Sequence, residues 1–277
     1  MSGRVGARPA ARARTVRALA HAFGLGWREV LAQPGAIAGV FLTYAAILAL
    51  WANLYRLLPA RTLASASLGY AQIVWYLALT EAVAFSIGHA YRQIEDEIRD
   101  GTVSAHLVRP VGYVALIASQ ELGRMTAKMA ALAACGGVVA YALAGGVPFG
   151  VAALPAIAAS LCAGAAVLLA AQILIGLSAA WLGTARPVFF IVQKLVFVFG
   201  GLLLPLDAYP TALARIAVLT PFSAMLYAPG SLALDASLAH AAETLARQLG
   251  WIAAAAVALA AAGDAFERRL VRTGAAS

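Results

Sequence analysis

Val151-Ala-Ala-Leu-Pro-Ala-Ile-Ala-Ala-Ser-Leu-Cys-Ala-Gly-Ala-Ala-Val-Leu-Leu-Ala-Ala-Gln-Ile-Leu-Ile-Gly-Leu-Ser-Ala-Ala-Trp181 decides the fold, because it contains no Asp, Glu, Lys, Arg or His. About 20 apolar residues suffice to cross the hydrocarbon of a bilayer, so this run spans it and tilts or projects beyond it. Similar runs flank it on both sides. Charge and Pro/Gly clusters divide the chain into spans at 34–54, 72–91, 125–143, 151–181, 187–204 and 249–266. The whole 277-residue chain is 63% hydrophobic and 12% charged, against roughly 45–50% and 25% for soluble domains. With a mean hydropathy of +0.85, the expected fold is all-α and integral to the membrane, a single domain over 1–277 with six spanning helices.

The net charge of +8 does not indicate nucleic acid, since the basic residues lie between apolar spans instead of on one contiguous face. Their distribution gives an orientation, because Lys and Arg concentrate in cytoplasmic loops. Of twenty basic residues, four (Arg56, Arg61, Arg215, Arg247) fall on one side and the other sixteen, including Arg92, Arg99, Arg124, Arg186 and Arg269, on the opposite side. Both termini are therefore expected in the cytoplasm. The Arg-rich start lacks the apolar core and cleavage site of a signal peptide and is expected to stay attached.

Before the first span, Val16, Leu19, Phe23, Trp27 and Val30 recur at helical spacing, with Arg17, His21 and Arg28 largely on another face. This predicts an amphipathic helix over 15–33 lying at the interface, with Trp27 in the headgroup layer. Packing on a soluble neighbour is the alternative. Small residues crowd the third and fourth spans (Gly136, Gly137, Ala140, Ala163, Gly164, Gly176, Ala180), which suits close helix approach in lipid, or a bias toward Ala and Gly without specific contact.

Two segments are more than spanning helix. The first runs from Tyr91 to Pro110 and holds an acidic run, a Gly turn at Gly101, and a short helix with Thr102 as N-cap and Pro110 as stop. Val103, Leu107 and Val108 give that helix an apolar edge suited to a partner's groove. The second is Gly200-Gly-Leu-Leu-Leu-Pro-Leu-Asp-Ala-Tyr-Pro210, continuing to Pro221. Pro205, Pro210 and Pro221 each remove a backbone donor, so a short re-entrant hairpin over 205–228 on the outer side is expected.

Together these segments resemble ABC-2 type permeases, the membrane subunits of ATP-binding-cassette transporters. In that family a segment reading roughly Arg-Gly-Thr-Leu-Glu-x-Leu-Leu-x-x-Pro-Val follows the second span, and Arg99-Asp-Gly-Thr-Val-Ser-Ala-His-Leu-Val-Arg-Pro-Val111 occupies that place. Asp100 is inserted, and Ser104 stands where an acidic residue is frequent. The resemblance implies a coupling segment over 95–111 that meets an ATPase through Arg99, Gly101, Thr102, Val103, Leu107, Arg109 and Pro110. It implies an outer hairpin marked by Gly200, Gly201, Pro205, Pro210 and Pro221, and an interfacial helix before the first span. It also implies cytosolic ATPase partners, a second permease, identical or related, and a multi-pass location in a bacterial cytoplasmic membrane. Export is the family's usual direction.

Within the spans, Glu81 is the leading polar candidate, because a carboxylate at mid-membrane costs about 3 kcal/mol on insertion scales. A structural role, bonding a neighbouring helix in protonated form, is the alternative. Gln72, Tyr76 and Thr80 recur at helical spacing and either line a pathway or join helices. The histidines are scattered and Cys135 and Cys162 lie in apolar runs, so no metal site is indicated. No phosphate-binding loop occurs. The chain is thus expected to be no enzyme and to hold no cofactor, with ATP and magnesium on the partner subunit. Rival readings are an ion-coupled secondary transporter using Glu81, and a non-transporting membrane anchor or assembly subunit.

Overall fold

The computed structural model describes residues 7–57, 68–103 and 111–274, and these are helical nearly throughout. In chain order the helices are α1 (Ala7–Leu31), α2 (Pro34–Leu57), α3 (Tyr70–Ser86), α4 (Ala90–Arg99), α5 (Tyr113–Ala144) and α6 (Leu154–Leu182). They continue with α7 (Arg186–Phe199), α8 (Thr211–Val218), α9 (Pro221–Met225), α10 (Tyr227–Leu234) and α11 (Leu238–Gly274). Pro34 begins α2 at the position where its missing N–H is no loss, and the Gln33 carbonyl accepts from Ala36 and Ile37.

Solvation by lipid is visible in where the apolar residues point. The most apolar window of α11 is 6% buried and that of α2 17%, yet both helices are long and apolar enough to cross a membrane. Leu42, Leu50, Leu249 and Val257 face outward. The window through α3 and α4 is 72% buried and that through α6 61%, so these form the centre. An all-helical membrane fold, expected from composition, is what the chain adopts.

Five helical stretches among the described residues are long and apolar enough to cross a bilayer. The stretch expected at 187–204 differs. Helix α7 has 14 residues, about 21 Å at 1.5 Å per residue, against about 30 Å of hydrocarbon. It stops because Gly201 takes a left-handed φ of +65°, a conformation that only glycine adopts at little cost.

Helix α1 also differs in its surroundings. It runs alongside the first half of α5 in the same direction: the Ser119 hydroxyl donates to the Leu19 carbonyl at 2.7 Å, and Trp27 Nε1 donates to Thr126 Oγ1 at 3.0 Å. Gly26 and Gly123 allow the contact, since a Cβ at either would overlap the opposite backbone. Trp27 thus has a partner within the chain, on α5, while Arg14, Arg17, His21 and Arg28 remain exposed.

The small residues of α5 and α6 are sites of close approach. Gly136 faces the Tyr44 ring, Gly164 the Met225 carbonyl, and Gly176 both Ile94 and Tyr91. Specific packing, one of the two readings open at the level of sequence, accounts for these three.

Candidate functional site

Two assemblies at opposite ends of the molecule carry the residues singled out above. The first begins where α3 stops at Ser86 and the chain re-enters a helix at Ala90. Helix α4 is amphipathic: Tyr91, Ile94 and Glu95 are buried, and Arg92, Asp96 and Arg99 are exposed. Its apolar face lies on α6 at Gly176, where an added Cβ would come within 2.8 Å of the Ile94 Cβ and 3.0 Å of the Tyr91 Cα. The Tyr91 ring stacks on Phe189 of α7 with centroids 4.2 Å apart and planes 11° from parallel.

Glu95, 6% exposed, fixes the same junction electrostatically. It accepts from the Thr184 hydroxyl at 2.9 Å, from the Ala185 N–H at 3.3 Å and from Arg99 at 2.9 Å. Ala185 is the residue before α7, so a carboxylate meets the helix end where unpaired N–H groups make the potential positive. Helix α4 is therefore tied to the start of α7 by a ring stack and a charged cap.

The end of α4 turns at Gly101, φ +72°. Thr102 Oγ1 donates back to the Glu97 carbonyl at 3.4 Å, and the Val103 N–H donates to the same oxygen at 3.2 Å. Glu97 in turn accepts from the Tyr113 hydroxyl at 2.8 Å, joining α4 to α5. Val103, expected on an edge facing a partner, is 2% exposed and packed in the chain's own core. The correction follows from the tight turn, which folds the chain back onto α4 and directs Val103 inward. Leu107, Arg109 and Pro110, with the short helix they were assigned to, lie outside the described residues, as does Arg61. Arg99 is 61% exposed in its side chain and pairs with Glu95 and Asp96.

At the opposite end the backbone leaves the helix at Gly200 and Gly201, and its carbonyls are met by tyrosines from three elements. Tyr76 of α3 donates to the Gly201 carbonyl, Tyr55 of α2 to the Leu203 carbonyl, and Tyr209 to the Val198 carbonyl at 2.9 Å. Irregular backbone at membrane depth requires such partners, because hydrocarbon supplies none. Pro205 and Pro210 precede the short helical turns at Leu206–Ala208 and α8, and Pro221 opens α9.

Helices α9 and α10 fold back into the centre, with Ser223 through Ala233 buried without interruption. They are separated at Leu226 because Pro229 has no N–H for the Met225 carbonyl and its ring clashes there. Within α10 this proline occupies the first turn, where it is tolerated. The neighbouring Ala224 carbonyl accepts from Gln248 Nε2 at 2.9 Å, and Gln248 also binds Ser160. Gly230 lets α10 press on Tyr76 and Thr80. Below the turn that follows, the Ser237 N–H donates to Asp235 at 2.9 Å and holds that carboxyl below the usual carboxylate range.

The intramembrane polar candidates separate clearly. Gln72 donates to the Leu234 carbonyl at 2.7 Å and accepts from the Gly69 N–H at 2.8 Å, so it closes the end of α10. Thr80, fully buried, donates to its own helix at Tyr76 and Leu77. Both act as joints between or within helices. Glu81 is 2% exposed, and neither carboxyl oxygen has a hydrogen-bond partner among the described residues. The interhelical bond considered for it from sequence does not form among the described residues.

Sequence reasoning missed the carbonyl-binding role of Tyr55, Tyr76 and Tyr209, the bridge at Gln248, and the cap at Glu95. A signal existed for the first two: polar side chains within apolar runs of a protein that must also satisfy a proline-broken hairpin. For Glu95 there was none, since it sits in an acidic run that reads as solvated.

A helical membrane core with an amphipathic elbow at one end and a buried, proline-broken hairpin at the other defines a polytopic membrane protein. The chain belongs to the ABC-2 family of transporter proteins, whose family model matches residues 41–271. It is accordingly the permease type of subunit of an ATP-binding-cassette transporter, a class that associates with ABC ATPase subunits. No curated protein and no solved structure matches the chain.

Proposed function

We propose that the chain forms half of an export pathway, pairs with a second permease, and takes its energy from two separate cytosolic ATPase subunits that hold the ATP and magnesium. Both termini lie in the cytoplasm of a bacterial cell, by the distribution of Lys and Arg. The segment 95–111 is the contact with the ATPase.

The observation that carries this reading is the attachment of α4 to the start of α7 through Glu95 and the Tyr91–Phe189 stack. Force delivered to the segment after Arg99 reaches α4, and α4 is fixed to α7 by charge and by packing. Helix α7 ends in the hairpin, which is wedged against α3 and α6. A shift of α4 is thereby passed to the element that closes the outer side. The ATP-bound ATPase would favour one arrangement by contacting the segment differently in the two states, which is what biasing such a switch requires.

The test is purification of the tagged full chain in mild detergent with gentle crosslinking, followed by ATPase and transport assays in vesicles. An ATPase subunit should accompany the chain, and Leu107→Asp should abolish transport while the complex still hydrolyses ATP. Absence of any ATPase partner, or transport unchanged in Leu107→Asp, would remove the proposal. The ion-coupled reading draws on Glu81, which has no hydrogen-bond partner among the described residues, and it requires transport driven by a proton gradient without ATP.

A further inference from the structure

Helix α7 carries a cation deep within an apolar run. Lys194 is exposed on its outward face, beside Phe190, Ile191 and Val198. It follows the exposed Arg186 that opens the helix by eight residues, about 12 Å along the axis, near the middle of about 30 Å of hydrocarbon. Lys194 makes no ion pair among the described residues. The charge count agrees, since the chain has no Asp or Glu from Leu122 to Leu206, and α11 has none from Leu249 to Gly263. Glu81 of α3 is 2% exposed. Every other carboxylate lies outside the uncharged runs of α2, α5, α6 and α11, so a second copy of the chain exposes none at this depth. A charge there is expensive in lipid, and such residues face protein or a watery cavity. Snorkelling does not relieve it: the ammonium stays over the Phe197 ring, 5.8 Å from its centre, instead of stretching back toward Arg186.

Phe197 also lines a narrow cleft of about 40 Å³ between α6 and α7, together with Phe189, Val196, Gln172 and Gln193. Gln172 lies ten residues before the end of α6, about 15 Å along the axis, so both glutamines and Lys194 share one depth. Gln172 is 4% exposed, and its Oε1 has no hydrogen-bond partner among the described residues. A buried acceptor of this kind is costly until a donor reaches it. The cleft has room for a hydroxyl or a few waters but not for a whole headgroup. At one level in the membrane the chain thus presents an unneutralised cation, an amide, and a buried acceptor that lacks its donor.

We infer that this face is the headgroup site of the permease, and that its substrate is an amphiphile whose anionic head also carries a hydroxyl. The anion sits at Lys194 with the Gln193 amide donating to it. The hydroxyl enters the cleft and donates to Gln172 Oε1, and the tail lies over Phe190, Ile191 and Val198. A zwitterionic head brings its own cation and gains less from Lys194. An anionic head without a hydroxyl leaves Gln172 without a donor. The inference rests on reading the chain as a transporting permease, and it names the class of molecule that permease handles.

The test is native mass spectrometry of the delipidated full chain, titrated with three lipids. Phosphatidylglycerol has both groups, phosphatidylmethanol has the anion without a hydroxyl, and phosphatidylcholine is zwitterionic. They should bind with decreasing affinity in that order. Lys194→Gln should weaken the two anionic lipids about ten-fold, the size of one charged hydrogen bond, and leave phosphatidylcholine unchanged. Lys194→Arg should retain them. Gln172→Leu should erase the advantage of phosphatidylglycerol over phosphatidylmethanol and keep that of phosphatidylmethanol over phosphatidylcholine. Arg272→Gln, in the last turn of α11, should change nothing. Phosphatidylglycerol should also raise ATP hydrolysis by the chain purified with its ATPase, and fail to do so in Lys194→Gln. Equal binding of the three lipids, or anionic binding unaffected by Lys194→Gln, would overturn the inference and leave the ATPase pairing standing. Hydrolysis that ignores a lipid bound as expected would overturn it too, because the site would then hold a resident lipid. If no ATPase accompanies the chain, the permease reading fails while the order of the three lipids still decides the site.

Discussion

The hairpin entrance allows a double-mutant cycle whose sign follows from the geometry. Gly201→Ala puts a Cβ into a residue with φ +65°, at a cost of about 1–2 kcal/mol for the left-handed conformation. That Cβ would also lie 2.8 Å from the Tyr76 hydroxyl oxygen, closer than real Cβ atoms tolerate, so the hydroxyl must retreat from the Gly201 carbonyl it serves. Tyr76→Phe removes the hydroxyl and leaves that carbonyl buried without its donor, a cost of about 1–3 kcal/mol. In the double variant the clash has gone and the hydrogen bond is lost only once. The combined loss should fall short of the sum by about 1 kcal/mol, within the range seen for residues in contact. The assay is thermal unfolding of the purified chain in detergent, followed by tryptophan fluorescence, for wild type, both single variants and the double. Strict additivity would refute the claim that Tyr76 and Gly201 share one contact, and a stabilised Tyr76→Phe would refute the carbonyl-capping role altogether.

Other variants probe the remaining joints. Glu95→Gln keeps the shape but weakens the charged cap at the start of α7; unfolding should begin earlier, by about 1–3 kcal/mol, and proteolysis near residue 184 should speed up. Gly176→Leu forces α4 off α6, since Ile94 and Tyr91 meet it with atoms close to the backbone; a loss of about 1–3 kcal/mol is expected from overpacking, read as a lower unfolding temperature. Gln248→Leu strands the Ala224 carbonyl and Ser160, and should destabilise the chain by about 1–3 kcal/mol in the same assay. Glu81→Gln should leave the unfolding temperature unchanged, because the carboxyl has no partner to lose among the described residues; a clear drop would reveal one.

Much of the architecture was legible because lipid imposes a simple rule on sequence: every crossing segment needs a long uncharged run, and each helix satisfies its own backbone. The runs that become α2, α3, α5, α6 and α11 stand out on that rule alone. The rule fails at 187–204, where apolar composition continues after the helix stops. Composition reports burial in lipid or protein alike, and the left-handed turn at Gly201 leaves only a Gly-Gly pair as its mark. Nor does it say what the helix at α1 packs against. An amphipathic face reads the same whether it meets headgroups or a neighbouring helix, and the partner residues Ser119, Gly123 and Thr126 are about a hundred positions away.

The intramembrane candidates show the same division. Sequence singled out Gln72, Thr80 and Glu81 because each is polar where polarity is expensive, and that expense is a property of position. Which of them has a partner is a property of packing: Gln72 and Thr80 are occupied, and Glu81 has no hydrogen-bond partner among the described residues. Val103 was read as an outward edge and lies inward, because one glycine turn reverses the chain.

The sequence by itself determined that the chain lives in a bilayer, roughly where it crosses, and that two interruptions separate it from a plain helix bundle. These are consequences of transfer free energy and of backbone donors removed by proline, both local to the residue. Only the tertiary structure decided which carbonyls of the broken hairpin are satisfied by Tyr55, Tyr76, Tyr209 and Gln248, and that Glu95 ties α4 to α7. Those contacts join residues far apart in the chain, and hydrogen-bond geometry exists only once the helices have packed.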